Sequence, residues 1–194
     1  MSGWAHDKAT DAFRMALTAT IYRWQVSVSD VDRGVYEALD LRLACHPSES
    51  LRYLITRALG YCLSYEEGIA FSKGGISSTD EPPISVRDPT GLLLAWIDVG
   101  SPSAERLHKA AKAAPRVSVF TTLDLDALRK GAQAIHKAAS IQVFRIEPEL
   151  VAALEARAER NLSFELTRSE GQLYVTVGSE TFAGVVEQTQ LADG

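Results

Sequence analysis

The hydrophobic positions along the chain change period several times, and each change marks a different kind of element. Residues 1–14 show no period. From Met15 the text becomes MALTATIYRWQVSV, rich in the β-branched and aromatic residues that suit a pleated, half-buried surface. In Val35–Ala44, Leu39, Leu41 and Leu43 alternate with Asp40 and Arg42, the every-second-residue pattern of a strand with one face in a core. The polar stretch Ser29–Gly34 between these runs predicts a β-hairpin. Ser48 is then placed to cap a helix, because Leu51, Leu54, Ile55, Ala58, Leu59, Cys62 and Leu63 recur at helical spacing along one stripe.

Gly68 and the pair Gly74-Gly75 bracket a short predicted strand, Ile69–Lys73, followed by a Ser/Asp/Pro-rich loop over Ser77–Pro83. Gly91–Gly100 reads as a central strand, apolar at nearly every position until Asp98. Beyond it the pattern alternates: helix Ser103–Ala114, strand Arg116–Thr121, helix Asp124–Ala139, strand Ile141–Ile146 and helix Pro148–Arg160. Such alternation implies parallel strands joined by crossover helices. The segments Leu162–Arg168 and Leu173–Val177, around Glu170-Gly171, predict a closing hairpin. The fold class is therefore α/β, a mixed sheet with an N-terminal and a C-terminal β-hairpin.

With 194 residues, 46% hydrophobic and 23% charged, the chain has apolar material for one core. A single domain over 15–194 is expected, preceded by a poorly ordered extension over 1–14, with Met15 read as an alternative start. The longest apolar stretches, such as Gly91–Ile97, fall far short of the roughly 18 residues needed to span a bilayer. His6, Asp7, Lys8 and Asp11 interrupt the place where an export signal would need an apolar run. A cytoplasmic protein with no membrane association is expected. Cys45 and Cys62 lack a Cys-x-x-Cys spacing and are read as reduced. The histidines at 6, 46, 108 and 136 lack the close pairing of a zinc site. A net charge of −5 argues against wrapping a long nucleic-acid duplex, although Arg106, Lys109, Lys112 and Arg116 make a local basic stripe.

No glycine-rich phosphate loop and no nucleophile elbow is present in the sequence. What remains is an ordered set of acids: Glu49 at the start of the first long helix, Asp80 in a loop, and Asp98 near the end of the central strand. At an effective dielectric of about 20, two carboxylates about 4 Å apart repel by about 4 kcal/mol, so bringing three together demands a cation or protonation. Magnesium, a hard ion that takes oxygen ligands, meets that demand. Each acid also has a plain reading: a residue favoured by the helix dipole for Glu49, a turn residue for Asp80. Asp98 has the weakest plain reading, because an acid closing an apolar strand is costly to bury without a partner.

Four segments in order, MALTATIYRWQVSVSD, HPSE at His46–Glu49, TDEP at Thr79–Pro82 and WIDVGSP at Trp96–Pro102, resemble the YaeQ family from about Met15 to the C-terminus. That family is similar in fold to the PD-(D/E)XK nuclease superfamily, which implies a nuclease-like core over about 47–121. The resemblance implies a site for Mg2+ or Mn2+ held by Glu49, Asp80 and Asp98, and hydrolysis of nucleic-acid phosphodiesters. The pattern is incomplete: Thr79 stands where proline is expected before Asp80, and Gly100 where a lysine is expected after Asp98. The following helix offers Lys109, supported by Arg106, as the replacement cation. On a helical wheel at about 100° per residue, Lys109 lies about 150° from the Leu107/Ala110/Ala111/Ala114 stripe, and Arg106 lies on its flank. The alternative is a nuclease-like scaffold that has lost catalysis and acts as a nucleic-acid- or transcription-associated binding factor. His46 and Trp96 read as a turn residue and a core residue.

Overall fold

In a computed structural model, which describes residues 19–72 and 81–192, the expected hairpin forms from β1 (Thr20–Asp30) and β2 (Val35–Cys45). Trp24, Val26, Val28, Leu39, Leu41 and Leu43 all turn to one side and are buried. Residues 1–14, Met15, the Gly74-Gly75 pair and Asp80 lie outside the described residues.

The first helix, α1 (Leu51–Leu63), is capped by Ser50, whose side chain accepts from Tyr53 N, and not by Ser48. Ser48 instead bonds the His46 ring, Oγ to Nδ1 at 2.7 Å. Beyond α1 come β3 (Ile69–Phe71), β4 (Ile84–Arg87), β5 (Leu93–Val99), α2 (Ala104–Ala113) and β6 (Arg116–Thr121). The long helix expected over Asp124–Ala139 is broken: α3 spans only Leu125–Arg129, followed by two single 3-10 turns. Gly131 (φ 82°) and Lys137 (φ 53°) take left-handed backbone conformations, which an α-helix cannot contain. After β7 (Gln142–Ile146), α4 (Pro148–Glu155) is shorter than the predicted Pro148–Arg160. The chain closes with β8 (Asn161–Ser169), β9 (Gln172–Val177) and β10 (Glu180–Gln190). The strands β4 and β10 carry no clean alternation and were not anticipated.

The ten strands of the described residues form one sheet in the order β2-β1-β8-β9-β10-β7-β6-β5-β4-β3. The expected parallel set is β5, β6 and β7, and β1 also pairs parallel with β8, joining the N-terminal and C-terminal hairpins. The sheet curls until it is nearly closed around α1, which touches β2, β3, β5 and β6 while packing on α4. This enclosure explains why α1 is buried over most of its circumference, including Thr56 and Arg57, although its sequence suggests a single apolar stripe. A second apolar cluster, built on Trp96, Leu107, Ala110 and Val119, lies between α2 and the other face of the sheet. No helix of the described residues is long and apolar enough to cross a membrane.

Candidate functional site: two buried acid–arginine pairs at one end of the sheet

Strand direction decides which acids can meet. β2 runs antiparallel to β1, and following the pairings around the sheet shows that β2 and β5 point the same way. The turn that leaves β2 at Cys45 and the last residues of β5 therefore share one end of the fold. Glu49 comes from that turn and Asp98 from that strand end.

Glu49 precedes the Ser50 cap, so the helical wheel does not govern it, and its side chain points inward and is fully buried. Its Oε2 accepts from His46 N at 3.2 Å. Its Oε1 lies 3.0 Å from Nη2 of Arg57, itself buried, yet accepts no hydrogen bond among the described residues. The same Arg57 Nη2 donates to the Ala44 carbonyl at the end of β2, at 2.6 Å. Burial pushes the Glu49 carboxyl above its usual range, against the opposing pull of the Arg57 guanidinium and the His46 N–H.

Asp98 is 2% exposed, on the α2 side of the sheet. Arg106 Nε donates to Oδ1 at 2.7 Å and Trp96 Nε1 donates to Oδ2 at 2.8 Å, so both oxygens are engaged. Arg106 also donates through Nη2 to the Glu81 carbonyl, at 2.9 Å, and its guanidinium lies 5.4 Å from the Trp96 ring centre. Trp96 is core, as expected, but its indole N–H also holds the acid. Desolvation raises the Asp98 carboxyl above its ordinary value although Arg106 and Trp96 both oppose the shift. Ser103 caps α2 and fixes the first turn from which Arg106 reaches.

Tyr53 connects the pairs. Its phenol is pushed up to about 12, chiefly by burial; Arg57 lowers it, Asp98 and Glu49 raise it, and Arg106 lowers it. One side chain therefore feels all four charged groups, and at neutral pH it stays protonated. The Tyr53 ring also faces Gly100, where an added Cβ would lie 3.6 Å from Cδ2 and Cε2. Gly100 has φ +83° and donates its N–H to the Phe120 carbonyl. A lysine at position 100 would have to adopt that left-handed conformation, at a cost of roughly 1–2 kcal/mol, so the backbone disfavours the missing residue.

Arg106, on the flank of the wheel, reaches Asp98, whereas Lys109 is exposed on α2, as its wheel position implies. At the far end of the basic stripe, Arg116 makes two bonds to Glu66, at 2.9 and 3.1 Å. Asp80 lies outside the described residues, among which no group of three or more His, Cys, Asp or Glu side chains is placed to hold a metal. Sequence reasoning missed Arg57 and Tyr53. The available signal was the charge itself, since Arg57 interrupts the apolar run Leu54–Leu59.

Comparison with known proteins decides the kinship. A family model described as YaeQ protein matches residues 15–185. The chain belongs to the YaeQ family. "Uncharacterized protein YaeQ" of Escherichia coli (strain K12) is 32% identical over 166 residues, covering 84% of this chain and 91% of that protein. The Salmonella typhi protein of the same name shows the same identity and coverage. Among solved structures, YaeQ protein from Pseudomonas syringae superposes with a TM-score of 0.81 at 27% identity, covering 91% of this chain and 97% of that one. YaeQ protein from Xanthomonas axonopodis pv. citri gives 0.80 at 29%, covering 89% and 99%. The ten-stranded, nearly closed sheet is thus shared with other YaeQ proteins along almost their whole length.

Proposed function

We propose that this YaeQ protein is a Mg2+- or Mn2+-dependent phosphodiesterase acting on nucleic acid, with its site at the shared end of β2 and β5. The observation that carries this reading is the buried Asp98, held at the end of an apolar strand by Arg106, the cation that position 100 does not supply. A buried acid so placed is costly as a structural device and characteristic of a tuned site. Glu49 and Asp98 offer only oxygen donors, the kind a hard dication takes, and Glu49 Oε1 is a buried acceptor without a hydrogen bond among the described residues. Asp98 and Asp80 would hold the ion, with Glu49 completing the shell directly or through water. The metal, when bound, lowers the pKa of its water and offsets charge on the phosphate. On this reading Arg106 gives up its bond to Asp98 and turns to the phosphate, Tyr53 donates its O–H, and Lys109 adds positive charge at the rim.

A second reading, a binding protein without catalysis, is favoured by one observation: Asp98 has both oxygens already bonded, to Arg106 and Trp96. The two readings part in one experiment. Labelled single-stranded and duplex DNA and RNA are incubated with manganese and the parent, Asp98→Asn or Arg106→Ala. The first reading expects cleavage by the parent and a loss of about 100-fold or more in each variant. Equal cleavage by all three proteins means contamination and removes that reading. Absence of cleavage with salt-sensitive binding, weakened by Arg106→Ala, establishes the second.

A further inference from the structure

The sheet is nearly closed but retains a long free edge. β2 pairs with β1 and, among the described residues, has no strand on its other side, because it stands first in the strand order. Two observations give the direction of its backbone groups. Arg23 N donates to Arg160 O and Val31 N donates to Arg168 O, so the odd-numbered residues of β1 point to β8 and its even-numbered residues to β2. Through the register Val26↔Leu39, the odd-numbered residues of β2 bond to β1, and Tyr36, Ala38, Asp40, Arg42 and Ala44 aim theirs outward. The Arg57 bond to the Ala44 carbonyl agrees with this assignment. The edge spans eleven residues and contains no proline, lysine or bulge; its charged residues are Glu37, Asp40 and Arg42.

We infer that β2 is a self-association edge, on which a second copy of the chain adds its own β2 antiparallel about a two-fold axis. The charges select both partner and register. Pairing of outward-facing residues allows three central registers. Asp40 opposite Asp40 or Arg42 opposite Arg42 places like charges face to face, which is destabilising. The remaining register sets Asp40 of each copy opposite Arg42 of the other, Ala38 opposite Ala44, and Leu41 on the axis. It also answers a tension inside one copy: Arg42 lies directly across from Arg23 on the exposed face, and neither they nor Asp40 make an ion pair among the described residues. A carboxylate from the second copy lands beside Arg42, on the side away from Arg23, and supplies the missing charge.

The test is sedimentation equilibrium of the full chain from about 1 to about 200 µM, the range in which an interface of micromolar Kd reports itself. The parent is expected to dimerise within it. Asp40→Arg and Arg42→Asp are each expected to weaken the dimer by at least about tenfold, since each faces like charges across the axis. The double swap Asp40→Arg/Arg42→Asp restores opposite charges in the same register and is expected to recover dimerisation. Both positions are exposed, and circular dichroism with thermal unfolding confirms that every variant is folded. A parent that stays monomeric throughout overturns the inference. So does a dimer that Asp40→Arg leaves unchanged, or one that the double swap fails to recover.

Discussion

Two acid–arginine clusters occupy opposite ends of the sheet, and they hold their acids by different means. At the end where β2 and β5 finish, Glu49 and Asp98 are met by the side chains of Arg57 and Arg106, and burial raises both carboxyls. At the other end, where β1 finishes, Asp32 accepts from the backbone N–H groups of Glu170 and Gly171 in the β8–β9 turn, and those bonds lower its carboxyl. Asp30 is buried beside it, accepts from Arg33 N, and has Arg33 and Arg168 about it at 3.9 and 3.8 Å. Arg33 in turn donates to the carbonyls of Leu63 and Tyr65, at the C-terminal end of α1. The β1 end is thus a clasp that ties two hairpins and a helix through their main chains. The β5 end holds its acids mainly through long side chains, with one main-chain bond from His46 N to Glu49, and those side chains can exchange partners without breaking the sheet.

The largest expected effect follows from the most completely buried pair. Arg57→Met leaves the Glu49 charge buried with no cation and is expected to cost about 3–5 kcal/mol in urea unfolding. Glu49→Gln in the same chain should recover much of that loss. A double variant as unstable as Arg57→Met would mean that Arg57 acts through Ala44 and its packing, and the pair would lose its significance.

The pH response should separate the two ends by sign. For Glu49 and Asp98 the folded carboxyl is raised, so their contribution to stability is complete below the ordinary carboxylate range and fades as pH rises through the elevated folded values. For Asp32 the folded carboxyl is lowered, so its contribution is present above the ordinary range and fades as pH falls through the lower folded value. Thermal unfolding from pH 7 to pH 4 should therefore show the parent gaining on Glu49→Gln as the solution is acidified. Below pH 4, as the solution passes through the lowered folded value, Asp32→Asn should close its gap to the parent. Parallel curves for Glu49→Gln and the parent would refute the assignment of a strained carboxyl to Glu49.

Gly100→Ala places a side chain at φ +83° and should cost about 1–2 kcal/mol, from backbone strain and not from crowding, since Tyr53 would stand 3.6 Å away. Gly100→Lys should be destabilised similarly and gain no cleavage over the parent; a gain would show that position 100 still belongs to the site. The smallest effect is expected at Lys109, exposed on α2, where Ala should change stability by less than about 1 kcal/mol. Its effect on cleavage, compared with that of Arg106→Ala, ranks the two cations at the β5 end.

Local pattern was enough to specify the first hairpin, α1, the strand ending at Asp98 and the alternation through β7, because periodicity within ten or so residues already encodes which face is buried. Glu49 and Asp98 were legible as candidate acids by the same route, and Arg106 by its place on the flank of α2. The broken helix after Asp124 was not, since the left-handed turns at Gly131 and Lys137 override an otherwise helical composition. β10 was hidden for a different reason: its pairing with β7 and β9 depends on partners distant in sequence, and its own residues do not alternate cleanly. Partner choice among charges belongs wholly to the tertiary structure. Arg57 faces Glu49 because α1 is enclosed by a sheet that curls around it, and Asp32 meets the Glu170–Gly171 turn because β1 and β8 run parallel side by side. An ion pair has no periodicity along the chain. It is decided by which strand ends the topology brings together and by how little water reaches them.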